Sequence, residues 1–132
     1  MSFSINRLDS FPDFCVFGLA PGATTIKEAH VPFAEAVPPI ASAVGKGMAF
    51  VYGKLYGYDG TSAGYVDMVF AVASGSPAVI TDDHFTMDAN VPMAVALVAD
   101  TRGDLSFQIT NNSATKTIDC AVTDIKVRYL QP

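Results

Sequence analysis

The sequence predicts an all-β protein: a single antiparallel β-sandwich or jelly-roll-like domain with a partly extended N-terminal segment. Three observations predict it. Apolar and polar residues alternate with period two over the C-terminal third, as in half-buried strands. Turn-forming residues recur about every 8–12 positions, the spacing of short strands in a sandwich. Pro32, Pro38 and Pro39 bar a long helix from the one region where helical signals occur.

Taken in order, "FCVFGLAPGATTIKEAHVPF" reads as two strands about an Ala20-Pro21-Gly22 turn. Thr25 and Glu28 offer a capping box, and an extended or short helical connector is expected from Ala34 to Ala43. Gly47–Gly60 is rich in aromatic and β-branched residues and closes on Asp59-Gly60, a favoured turn pair. Tyr65–Ala73 reads as a buried apolar strand, and Ala78–Met87 as a weaker one. Val91–Asp100 is another apolar run, joined through Thr101-Arg102-Gly103 to a strand at Leu105 as a hairpin.

Leu105, Phe107 and Ile109 then point one way, Asn111–Lys116 turns, and Ile118, Cys120 and Val122 resume the alternation, which predicts a long two-strand ribbon. After Val122 the apolar phase slips to Ile125, Val127 and Tyr129. Without correction a one-residue slip would turn the side chains over, so a β-bulge or bend is expected near Thr123-Asp124. The glycines read as turn punctuation. Residues 1–45 form the strand- and arm-like N-terminal part and 46–132 the sandwich core of one domain.

At 132 residues, 50% hydrophobic and only 16% charged, the chain has too many apolar residues for one small core to hide. Part of its surface is expected to be covered by another protein. A net charge of −5 with scattered basic residues argues against nucleic acid or an anionic membrane as partner. No apolar run reaches the roughly eighteen residues of a membrane span, and the N-terminus lacks the pattern of a secretory signal. Synthesis in a cytoplasm follows as the expectation.

Catalytic constellations are not apparent. Asp82, Asp83 and His84 are adjacent but alternate in direction along a strand, so a solvated loop is expected rather than a metal site. His30 has no neighbouring carboxylate or serine, and Ser62, Ser74 and Ser76 sit in glycine-containing turns without a nucleophile elbow. Cys15 and Cys120 lack metal-ligand spacing and are expected to be reduced, with Cys120 a buried hydrophobe. Arg102-Gly103-Asp104 fits a tight hairpin better than an adhesion signal. Tyr52, Tyr56, Tyr58 and Tyr65 could form a stacking platform for sugars, although packing within strands is the simpler role. The chain is expected not to be an enzyme, and no cofactor or metal is expected.

Ala89–Leu130, and within it Asp100, Gly103, "LSFQIT" and "TIDCAV", resembles the end of a β-sandwich module common in structural proteins of tailed bacteriophages. Cys120 stands where that module usually has tryptophan, which implies different packing there. The resemblance implies a virion component. A capsid decoration (cement) protein on the outside of a phage head is the expected placement, because the chain has its own Met1, ends at Pro132 and contains no stem-like repeat. A tail-fibre or tail-tip module binding a receptor or carbohydrate is the alternative. Expected partners are further copies of the chain, as a homotrimer or homodimer, and the major capsid protein or other virion proteins. Phe11, Phe14, Phe33 and Val37, in the proline-bearing N-terminal part, are the candidate contact residues.

Overall fold

Three strands of the larger sheet pair directly with the last one, β9 (Ile118–Gln131), fourteen residues long. In a computed structural model that describes residues 4–25, 48–73, 79–81, 84–86, 91–99 and 105–131, its partners are β1 (Ser4–Phe11), β2 (Phe14–Leu19) and β3 (Met48–Tyr58). β3 also pairs along its whole length with β4 (Ala63–Ala73), which pairs with the short β5 (Val79–Thr81). A second sheet holds β6 (His84–Thr86), β7 (Met93–Ala99) and β8 (Leu105–Asn111) in that order. All pairings are antiparallel, and the described residues contain no helix, so the all-β expectation holds.

One cluster of buried side chains lies between the two sheets. Val51 and Leu55 of β3, Met68, Phe70 and Val72 of β4, and Ile118, Val122, Ile125 and Val127 of β9 meet Met93, Val95, Leu97, Leu105, Phe107 and Ile109 of the smaller sheet. The ring of Phe107 lies between two rings of the larger sheet, 6.1 Å from Phe14 and 6.2 Å from Phe70, the latter edge-on. Burying these residues supplies the main drive for bringing the sheets together, at roughly 25 cal/mol per Å² of apolar surface.

The phase slip in β9 is absorbed where it was expected. Lys126 faces Tyr52 and Thr123 faces Lys54, so Gly53 alone spans two residues of β9. Asp124 takes a φ of 54°, a left-handed conformation that aspartate tolerates better than most residues. Its N–H donates to Asp13 Oδ1 at 3.2 Å, and Thr123 Oγ1 donates to Asp124 Oδ2 at 2.8 Å. Asp13 lies in the gap between β1 and β2, which run as two segments of one broken edge strand. The edge strand therefore breaks where β9 bulges, and Ile125 and Val127 return to the core.

Four sequence expectations are corrected. β8 and β9 are not a two-strand ribbon, because residues 112–117 cross from the smaller sheet to the larger. Asn111 decides this. Fully buried, it donates from Nδ2 to Leu19 O and Lys116 O, both at 2.9 Å, and accepts at Oδ1 from Ser113 N–H at 2.8 Å. Ala78–Met87 is not one strand, since β5 belongs to the larger sheet and β6 to the smaller. Tyr65–Ala73 is buried on one face only: Met68, Phe70 and Val72 point inward, while Tyr65 and Val69 are exposed.

Nor are all glycines turn residues. Gly57 lies inside β3 on the face against β7, where a Cβ would overlap Met93 Cε and come within 2.9 Å of Val91 Cγ1. Gly22, by contrast, does turn the chain. At φ 75° after Pro21 it completes a type II turn closed by Ala23 N–H to Ala20 O at 3.0 Å. The chain then runs along the edge of β8, with Thr24 bridging Thr110. The hydroxyl of Thr25 accepts from Ile109 N–H at 3.0 Å, engaging the β8 edge. Glu28 and the Ala34–Ala43 connector lie outside the described residues.

Candidate functional site

Alternation that fills the core on one side of β3, β4, β9 and β2 puts a second set of side chains on the other. Along that outer face, pairing register lines up Cys15, Ala121, Tyr56 and Tyr65 across four strands, and Asp119, Tyr58 and Ala63 in the next row. Small residues on β9 leave a trough between taller aromatic neighbours. Phe17 rises at its edge and is 78% exposed. It is placed there by a register shift after Val16 and by Gly18, whose φ is 70° and whose N–H donates to Asp119 Oδ1 at 2.8 Å. The resulting groove, about 360 Å³, has Cys15, Ala121 and Gly57 along its floor and Phe17, Tyr56 and Tyr58 along its sides.

A second groove of about 600 Å³ lies on the same face, where β9 bulges. Tyr52, Val69 and Leu8 give it apolar walls, and Lys54, Lys126 and Arg128 bring three cations. Lys54 is already occupied: its Nζ is 3.8 Å from Asp67 and 5.9 Å from the centre of the Tyr65 ring. Lys126 and Arg128 have no ion-pair partner among the described residues.

Six of the large apolar or aromatic side chains left exposed belong to this face: Leu8, Phe17, Tyr56, Tyr58, Tyr65 and Val69. Tyr56, Tyr58 and Tyr65 stand 40%, 50% and 62% exposed, so whatever packing they do is between neighbouring strands on the outer face and not in the core. Tyr56 and Tyr65 lean together with ring centres 6.0 Å apart. Tyr58 Oη donates to Gly60 O at 2.9 Å, which fixes that ring at the β3–β4 turn. Asp59 holds the turn: its Oδ1 accepts from Ser62 N–H at 2.7 Å and Thr61 N–H at 2.9 Å. These amides, with Lys116 at 3.6 Å, hold its carboxyl below the usual range.

The sequence-predicted contact residues are not brought together on this face. Phe11 and Phe14 are half-buried against the chain's own core, at the ends of β1 and β2 that flank the break in the edge strand. Phe33 and Val37 lie outside the described residues, as do His30, Ser74, Ser76, Asp82, Asp83 and Arg102-Gly103-Asp104. His84 begins β6 and Ser62 sits in the β3–β4 turn. No cluster of three metal-ligating side chains occurs among the described residues. No helix among them is long and apolar enough to cross a membrane.

Phe17, Lys126 and Arg128 were not singled out from the sequence. Lys126 and Arg128 alternate with buried Val127, so their outward direction follows once the bulge at Thr123-Asp124 is placed.

Both cysteines are free thiols on opposite sides of the larger sheet. Cys15 is exposed in the aromatic groove; Cys120 is buried, and burial, with Asp119 and Cys15 nearby, pushes its thiol up to about 11. Alkylation at neutral pH should therefore modify Cys15 alone in the native protein, and both thiols after unfolding without reductant. Two thiols reacting at equal rates in the native state would contradict the placement of Cys120.

Comparison with protein-family models, with curated proteins and with solved structures finds no match.

Proposed function

We propose that this protein is a virion structural protein without catalytic activity, and that it decorates the outside of a phage head. The observation that carries a binding role is the outer face of the larger sheet, where six large apolar or aromatic side chains stand in solvent although the chain has filled its core; attachment to the head is assigned to a different part of the chain. A surface of that kind marks a site of contact with a partner. The low charge content of the whole chain and the resemblance of Ala89–Leu130 to phage structural modules support the virion setting. In this reading the N-terminal part, with Phe11, Phe14, Phe33 and Val37, attaches the protein to the shell and to further copies of itself. The outer face is then turned away from the shell.

Attachment is tested on particles. Tagged wild-type protein produced in a cell that assembles phage heads should sediment with them on a density gradient. Phe33→Asp should leave it in the soluble fraction with its thermal unfolding unchanged. A wild type that is monomeric at high micromolar concentration and absent from particles would overturn the decoration role.

A second placement, in a tail tip that binds a receptor or carbohydrate, is favoured by one specific observation. Three tyrosines are exposed on one sheet face, where their rings are open to stacking against sugar rings. Both placements leave the outer face free for a ligand.

A further inference from the structure

We propose that the outer face of the larger sheet binds a saccharide chain that carries acidic groups, with Lys126 and Arg128 receiving the acid and the tyrosines receiving the rings. The proposal rests on the reading of that face as a binding surface and names its ligand.

The argument begins with register. Tyr52 is paired directly with Lys126, so an aromatic ring and an ammonium group stand side by side on the same face. Arg128 follows two positions along β9 and points the same way, about 7 Å further on. From Tyr52 the outward positions of β3 continue through Lys54 to Tyr56 and Tyr58, with Tyr65 beside Tyr56. Six residues of strand separate Tyr52 from Tyr58, which is about 20 Å of sheet surface. Aromatic faces at intervals along such a distance suit a linear chain of rings better than a compact ligand.

Charge selects the class of sugar. The protein as a whole carries −5, so a polyanion is repelled at long range and must be held by local contacts. Asp67 is paired with Lys54, whereas Asp124 and Asp119 keep their charge while accepting from Thr123 Oγ1 and the Gly18 amide. Lys54, Lys126 and Arg128 thus outnumber Asp67 and Asp124 by one in the groove at the bulge. Among the described residues Lys126 and Arg128 have no ion-pair partner. The planar fork of Arg128 suits a carboxylate or sulfate, and Lys126 adds a point charge beside the Tyr52 ring. A neutral sugar leaves both cations without a partner. An acidic peptide would satisfy them but has no use for the row of tyrosines.

The test measures binding of the full chain to three probes: oligogalacturonate, dextran sulfate and neutral galacto-oligosaccharide. The chain has five tyrosines and no tryptophan, so tyrosine fluorescence reports stacking directly. At least one acidic probe should bind with a change in tyrosine fluorescence, and the carboxylate and sulfate arms identify which acid the site takes. The charge reversal K126E/R128E should weaken that binding at least tenfold, as should the milder K126Q/R128Q, which keeps the side-chain length. Tyr56→Ala should weaken it several-fold and reduce the fluorescence response, a loss that simple ion attraction would not produce. Equal binding of neutral and acidic probes, insensitive to K126Q/R128Q, would overturn the acidic ligand and leave a sugar-binding face. Acidic binding indifferent to Tyr56→Ala would overturn the stacked-chain geometry. No binding of any probe would overturn both the acidic ligand and the sugar-binding role.

Discussion

Replacing Asn111 with leucine is expected to lower the unfolding free energy by about 3 kcal/mol. The side chain is fully buried and makes three hydrogen bonds, to Leu19 O, Lys116 O and Ser113 N–H. Leucine fills a similar volume, so the loss reports unpaired backbone groups and not a cavity. The backbone of Asn111 is also fixed, its N–H donating to Ala23 O and its C=O accepting from Gly22 N–H, both at 2.9 Å. One residue thus ties together the Pro21-Gly22 turn, the end of β8 and the crossover into β9. Urea unfolding should show a lower midpoint with little change in slope. A loss below about 1 kcal/mol would mean that water replaces these bonds and the tie is not structural.

The related change Asn111→Asp carries its own pH dependence. It keeps the acceptor but turns the donors into a carboxyl facing two carbonyl oxygens, an arrangement that favours the protonated form and raises its pKa in the folded state. A folded-state pKa above the unfolded value of about 3.9 makes the variant least destabilised below that pH. Its stability relative to wild type should then fall as pH rises through the folded-state pKa.

Gly57→Ala is expected to destabilise by about 1–3 kcal/mol, although alanine is ordinarily better than glycine inside a strand by roughly 0.5–1 kcal/mol. The sign is set by space. Glycine is what allows β3 to approach Met93, at the start of β7, and Val91 just before it, both fully buried. Gly57→Leu should prevent the sheets from closing and leave a protein without a cooperative thermal transition. Met93→Ala alone should cost about 2–5 kcal/mol, and combined with Gly57→Ala it should cost less than the sum, because the new methyl enters the space that Met93 vacates. Strict additivity would show that the two positions do not meet.

What the sequence made legible was the local alternation. Leu105, Phe107 and Ile109 face the core as their period required, Cys120 is buried, and the slip between Val122 and Ile125 located the bulge. Pairing between distant segments was not legible. "NNSATK" has the composition of a hairpin turn and of a crossover alike, and the choice is made by Asn111 reaching Leu19, 92 residues away in sequence. An apolar run such as "YVDMVFAVA" looks the same whether both faces are buried or one is left exposed, so Tyr65 and Val69 were read as part of a buried strand. Gly57 was invisible for a related reason: its neighbours belong to the opposite sheet.

The position of β9 bears on how the protein is made. It lies between β3 on one side and β1 and β2 on the other, yet it follows all of them in the chain. Leu8 must wait for Arg128, its partner across the pair, a delay on the order of ten seconds at ordinary rates of synthesis. During that interval the β3–β4 hairpin and the N-terminal strands present unpaired edges, and the core lacks the side chains of Ile118, Val122, Ile125 and Val127. A polypeptide released early, even by fifteen residues, therefore has no completed sheet to protect it. Such fragments are open to proteases and to one another, and only a chain translated through β9 completes the larger sheet and both of its faces.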